Sequence, residues 1–287
     1  MATWGCTKTL KAMKTIVVPF DFSSYSLEAL KTAQRISTKT GARILCVSVI
    51  PSEIDWDLLP EEAKNKHPDL IEEREEALEV LPKYIRSVAP AKAPIEAVVK
   101  IGVPHEQIVR VADQHKADIL VLGAYGKGYE EGKFIGSNLQ KVLRKAHCPV
   151  LAIKKELDGN AFRKIAFATV FDNSGKKAFE KILPLAKAFK SSIHLLFVNT
   201  PEHFTNSSES DEKMAAFAKG YEQFVIHRHI YNHKEAEEGI LEFCERKGIN
   251  LVSLAARPKV SSSAYMIGTT ETLIFKSEFG VLSINGE

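Results

Sequence analysis

The chain has 287 residues, 45% of them hydrophobic and 26% charged, with a net charge of +3. That length suits two ordinary domains. The charge is too small to argue for a nucleic acid or an acidic membrane, and no apolar run approaches the roughly 20 residues of a membrane span.

The opening stretch, "MATWGCTKTLKA" (1–12), has neither a long apolar core nor a cleavage-site pattern, so it reads as an extension and not as a signal peptide. "KTIVVPFDFSSYSLEAL" (14–30) then reads as a buried strand, a short turn and an amphipathic helix. "ARILCVSVIPS" (42–52) is a second strand. A charged amphipathic helical insertion occupies about 51–88, with "EEAKNKHPDLIEEREEALEVLPKYIRSV" at its heart. It is expected to be a solvated helix, with a lid or a partner surface as alternatives. A third strand ends at "GVP" (102–104), a fourth is "ADILVLG" (117–123), and "CPVLAIKK" (148–155) is the last of this half. The polar stretch "KELDGNAFRK" (155–164) makes a join.

The same order then returns. "KIAFATVFDNSGKKAF" (164–179), "SSIHLLFVNTP" (191–201), "INLVSLAARP" (249–258) and "GVLSINGE" (280–287) echo the first-half strands. Asp21 to Val49 and Val170 to Val198 are both 28 residues; Gly102 to Gly123 and Lys234 to Ala255 are both 21; Gly123 to Gly136 and Ala255 to Gly268 are both 13. Only one interval differs, 53 residues from Val49 to Gly102 against 36 from Val198 to Lys234, which places 17 extra residues in the insertion. Kept spacing with one local insertion indicates a duplicated domain. Alternating strands and helices predict an α/β fold of two tandem open parallel five-stranded sheets flanked by helices, with domains at 13–156 and 161–287. Pro184 falls inside the first helix of the second half and is expected to kink it.

Between the fourth strand and the next helix lies "GAYGKGYEEGKFIGSNLQ" (123–140), with five glycines in fourteen residues. Glycine lets backbone amides approach a ligand with no Cβ in the way, and a helix N-terminus adds unpaired amides and a positive dipole end. Ser137 can cap the following helix or bind a phosphate oxygen. The loop contains no GxxxxGK[ST], and it follows the fourth strand, where a dinucleotide fingerprint would follow the first. Two readings stand: a phosphate cradle or a glycine-rich mobile turn. Asp21 likewise is either a ligand contact or a helix-initiating turn residue before Ser23 and Ser24.

Gly123-x2-Gly126-x9-Gly136-Ser137 resembles the nucleotide motif G-x2-G-x9-G-[ST] of the universal stress protein family. "VVPFD", Val49 ending the second strand, "GVP", "ADILVLG" and "HCPVLAI" agree with that family in order, and the resemblance spans two tandem copies. It implies the universal stress protein, or adenine nucleotide alpha-hydrolase-like, fold. It also implies an ATP site in the first half, with ADP or AMP as alternatives and Mg2+ accompanying the phosphates. Carried over by position, Asp21 lies beside the adenine and Val49 holds the base through its main chain. Gly102 borders the ribose and phosphates. Gly123 and Gly126 admit the ribose and inner phosphate, and Gly136 and Ser137 bind the outer phosphates. Asn138 either contacts phosphate or helps cap, and Lys127 and Lys133 are either added positive charge or solvated. Family members commonly dimerise through the last strand. The resemblance therefore implies an intramolecular pseudo-dimer through "PVLAIKK" and "GVLSING", or a homodimer.

In the second half Val170 replaces Asp21, Lys234 replaces Gly102, Ala255 replaces Gly123 and Pro258 replaces Gly126; only Gly268-Thr269 keeps the motif's end. That half is expected to keep the scaffold without the site. Asp172, two residues beyond the Asp21 position, is not expected to substitute. His227, His229 and His233 lie close together, but no Cys or carboxylate has metal-ligand spacing, so no metal site is assigned. No GxSxG, Cys/His nucleophile pattern or catalytic carboxylate pair occurs. Cys6, Cys46, Cys148 and Cys244 are too scattered for a disulfide framework or a CxxC pair, and a cytoplasmic location with reduced thiols is expected. The expected function is nucleotide-dependent sensing in a stress response, with a protein partner the sequence does not identify. The rivals are a slow ATPase or self-phosphorylating enzyme, and an interaction protein that needs no nucleotide.

Overall fold

Strands that are apolar along their whole length, such as Ile16, Val17 and Val18 or Ile119, Leu120 and Val121, must be covered on both faces, which calls for a parallel sheet between helix layers. The computed structural model describes residues 11–88, 92–130, 132–256 and 268–285. It divides into two units, one of Met13–Leu157 and one containing Asp158–Glu287.

The first unit runs β1 (Thr15–Pro19), α1 (Ser24–Thr40), β2 (Arg43–Pro51), α2 (Glu61–Lys64), α3 (Pro68–Ser87), β3 (Ile95–Gly102), α4 (Pro104–Gln114), β4 (Ile119–Gly123), α5 (Ser137–Lys145) and β5 (Val150–Ile153). All its strand pairs are parallel, in the order β3-β2-β1-β4-β5. Strand order therefore reverses between β1 and β4, the place where open α/β sheets bind ligands beyond the strand carboxyl ends. Helix α1 starts at Ser23, whose hydroxyl accepts from the Ser26 amide, and ends at Gly41 in the left-handed region. Its Ala29, Leu30, Ala33 and Ile36 are fully buried, and burying a side chain such as Leu30 stabilises by about 1.5–3 kcal/mol.

The insertion is helical, as its pattern predicts, and it packs on the sheet edge. Leu70, Ala77 and Leu81 form the buried stripe of α3. Leu70 joins Ile50 and Ile101 in a cluster that Trp56, Ile54 and Val99 extend. Tyr84 of α3 contacts the rings of Phe20 and Phe22, at 5.3 and 5.6 Å.

The second unit repeats the plan with β6 (Lys164–Ala168), α6 (Asn173–Phe189), β7 (Ser192–Asn199), α7 (Ser207–Ala218), β8 (Val225–Asn232), α8 (Ala236–Lys247), β9 (Leu251–Ala256), α9 (Thr269–Lys276) and β10 (Gly280–Asn285). Its pairs are also parallel, in the order β10-β9-β6-β7-β8. Phe162, Phe167 and Phe179 are fully buried, and Phe179 meets Phe167, Phe217 and Tyr221 edge-on at 5.1–5.3 Å. Helix α6 runs through Pro184 as one element.

The strand register corrects one sequence alignment. Ile44 pairs with Ile95 and Ile193 with Ile226, so the counterpart of Gly102 is His233, where spacing counted from Ala255 points to Lys234. One extra residue in the turn between β8 and α8 causes the shift, and the glycine is lost either way. Pro258, the replacement for Gly126, and residues 1–10 of the extension lie outside the described residues.

Candidate functional site

A left-handed residue makes the turn after β1. Phe22 has φ 64°, a conformation costing a non-glycine residue on the order of 1–2 kcal/mol, and contacts with Phe20 and Tyr84 hold it there. The turn presents the Asp21 carboxylate in two directions. Oδ1 accepts from the Ser23 amide and hydroxyl, at 3.1 and 2.6 Å, and Oδ2 accepts from the Lys127 amide at 2.8 Å. Asp21 thus serves the helix-initiating turn and anchors the glycine loop, while Ser23 is the cap itself.

That loop is clasped at its ends. The Ala124 amide donates to the Ile153 carbonyl at 2.7 Å, and the Gly136 amide donates to the Ala124 carbonyl at 3.0 Å. Inside it Tyr125 and Tyr129 stack at 3.7 Å, with Tyr25 edge-on to both and the Lys154 ammonium 5.8 Å from the Tyr125 ring. The loop is therefore pinned by hydrogen bonds and aromatic contacts.

The glycines do different work. A Cβ on Gly123 would lie 2.7–2.9 Å from Tyr25 Cβ, C and O, so this position is bare because α1 packs against it. A Cβ on Gly126 would lie 2.8 Å from Asp21 Oδ2. Gly136 has room for a methyl instead, the nearest neighbours of a Cβ there being the Ala124 carbonyl oxygen at 3.7 Å and the Gly126 nitrogen at 4.0 Å, ordinary contact distances.

Gly136 is the N-cap of α5, with no side-chain cap and no acidic residue in the first turn. Capping, one of the two roles open to Ser137 and to Asn138, is not taken up: both are exposed in the first turn and leave its end bare. The Gln140 amide, the first intrahelical donor, bonds the Gly136 carbonyl, so the Ser137, Asn138 and Leu139 amides before it have no intrahelical acceptor. Three adjacent amides and a dipole worth about 0.3–1 kcal/mol at an exposed site make this end receptive to an anion.

These parts line an open cleft of about 390 Å³, within the range of small-molecule sites. Asp21, Val49, Gly123, Gly126, Gly136, Ser137 and Asn138 all line it. Gly102 does not; it sits buried at the end of β3 beside Pro51, and Pro104 and Ile108 of α4 supply that wall. No residue of α2 or α3 lines the cleft, so the insertion is no lid over it in this structure. Lys127 and Lys133 reach its edge as exposed side chains, Lys133 paired with Glu130 at 2.8 Å.

The sequence reading missed Phe22 and the tyrosine pair. Phe22 had a signal: Phe171 stands at the matching place in the second unit, also with positive φ, 60°. There Asp172 caps α6 by accepting from the Gly175 amide at 2.8 Å, as Ser23 caps α1, and Val170 at the Asp21 position is exposed. The histidines of β8 adjoin a third that the sequence reading passed over. His194 of β7 bonds His229 ring to ring at 3.0 Å and stacks on His227 at 4.8 Å. No group of three or more metal-capable side chains converges among the described residues. Cys46 and Cys244 are buried free thiols, and burial pushes the pKa of Cys244 up to about 12. No helix among the described residues is long and apolar enough to cross a membrane.

The universal stress protein family profile matches residues 13–154. A universal stress protein of Methanocaldococcus jannaschii is 35% identical over 150 residues, covering 50% of this chain and 82% of the relative. One from Thermus aquaticus is 30% identical over 144 residues, covering 49% and 98%. Among solved structures, a universal stress protein from Archaeoglobus fulgidus has a similar fold over 95% of this chain and 98% of its own, with TM-score 0.75 at 18% identity.

Proposed function

Since the chain belongs to the universal stress protein family, we propose that its first unit is an adenine-nucleotide-binding module, holding ATP or else ADP or AMP. We propose further that it acts in a stress response by letting nucleotide occupancy shift a conformational population. The observation that carries this reading is the bare end of α5 set beside the Gly126 backbone in a cleft at the sheet's reversal point. In it Asp21 and Val49 sit at the base end, the Gly126 main chain borders the ribose and inner phosphate, and Gly136, Ser137 and Asn138 receive the outer phosphates. Mg2+ would arrive with the phosphates, because Mg2+ keeps waters and shares phosphate oxygens where a protein offers few carboxylates. Among the described residues Asp21 is the only carboxylate on the lining, and it already accepts three hydrogen bonds. Hydrolysis needs a positioned water or acceptor, and this arrangement favours binding over turnover.

Calorimetric titration with ATP, and mass spectrometry of nucleotide released from purified protein, test the reading. One nucleotide per chain is expected. Gly136→Ala, which has room for its methyl, should keep the fold and lose affinity at least about tenfold, or 1.4 kcal/mol. A wild-type cleft that stays empty in millimolar ATP, or a Gly136→Ala chain that binds like wild type, rejects it.

A further inference from the structure

The second unit retains Gly268-Thr269, the end of the glycine motif, at the start of α9. Its surroundings differ from those of Gly136-Ser137 in one chemical respect. Helix α5 has no acid in its first turn, whereas α9 has Glu271, buried with 8% of its surface exposed. The Glu271 carboxylate folds back over Gly268, so that a Cβ there would lie 2.6 Å from Oε2. A glutamate three residues after an N-cap is placed to reach back to the cap amide. The Thr269 hydroxyl, standing where the first unit has Ser137, donates to Glu237 Oε1 at 2.6 Å. Glu237 lies in the first turn of α8, where α4 of the first unit carries His105, and Glu271 replaces Leu139. Two substitutions, on different helices, each bring a carboxylate to the remnant of the motif.

We propose that the phosphate end of the second unit is held by the chain's own carboxylates, Glu271 on Gly268 and Glu237 on Thr269, which closes this unit to anionic ligands. The acids take the place of a ligand phosphate, as a carboxylate at a helix N-terminus is stabilised by the same amides and dipole. A phosphate entering here would displace Glu271 and face Glu237 at once. The second unit is therefore closed by occupation as well as by the loss of Asp21 and the glycines. This rests on the nucleotide reading of the first unit.

Hydrogen exchange of the full chain, read on peptides covering 137–145 and 269–276 in inorganic phosphate and in chloride of equal ionic strength, separates the two. In wild type, phosphate should slow exchange in 137–145 and leave 269–276 unchanged. In Glu271→Ala the vacated end should accept phosphate, and protection of 269–276 should rise roughly sixfold at five times the phosphate Kd. If that variant does not fold in chloride, recovery in phosphate supports the proposal, and failure in both overturns it. A folded Glu271→Ala whose 269–276 peptide ignores phosphate overturns it, as does a wild-type chain that already responds there. In Glu271→Ala, a silent 137–145 peptide beside a responsive 269–276 counts against the first-unit reading alone.

Discussion

Acidification should loosen the second unit through His194. This side chain is 9% exposed between β7 and β8, hydrogen-bonded to His229, stacked on His227, and in the field of Lys164 and Lys247. Burial first, then the charges of His229 and His227, hold its pKa down at about 4, against 6.5 for an ordinary histidine. Burial, then Lys247, lowers His229 as well. Between the two values for His194 the unfolded chain binds a proton that the folded unit refuses, so stability is present above 6.5 and is lost as pH falls toward 4. At 1.36 kcal/mol per pH unit, the loss between pH 7 and pH 5 is about 2 kcal/mol, rising to about 3 kcal/mol below pH 4. His194→Gln keeps hydrogen-bonding capacity without the titration. Opening free energies of the β7 and β8 amides, from hydrogen exchange at pH 7 and pH 5 corrected for intrinsic rates, should fall by about 2 kcal/mol more in wild type than in the variant. Equal losses in the two proteins would refute the assignment.

Gly123→Ala should destabilise the first unit by about 1–3 kcal/mol in urea unfolding, because its methyl meets the Tyr25 main chain and one element must move; an unchanged midpoint contradicts that packing. Asp21→Asn keeps an acceptor for Ser23 and loses the one for Lys127. Exchange at the Lys127 amide should quicken several-fold while the α1 cap stays protected, and loss of both together would show that the two halves of the carboxylate do not act separately.

The order of strands and helices was legible in the sequence because buried parallel strands must be continuously apolar and surface helices must be striped, and both signals are local. The duplication was legible because spacing survives where side chains change. The glycine loop was found for the same reason: a run of missing side chains is visible without knowing what approaches it.

What approaches each glycine depends on segments far apart in the chain, and only the tertiary structure decided that. Gly123 makes room for Tyr25 and Gly126 for Asp21, whereas a Cβ on Gly136 would meet its neighbours only at ordinary contact distance. Local chemistry offered Ser137 as a cap, yet backbone angles at Gly136 moved the helix start and left the end bare. Spacing alone chose Lys234, but hydrogen-bond register, a relation between two strands, chose His233. Glu237 and Glu271 are ordinary surface-type residues when read along the chain. They meet the remnant motif because α8 and α9 bring them to it, and distance in space, which the linear order does not contain, sets the electrostatics of that end.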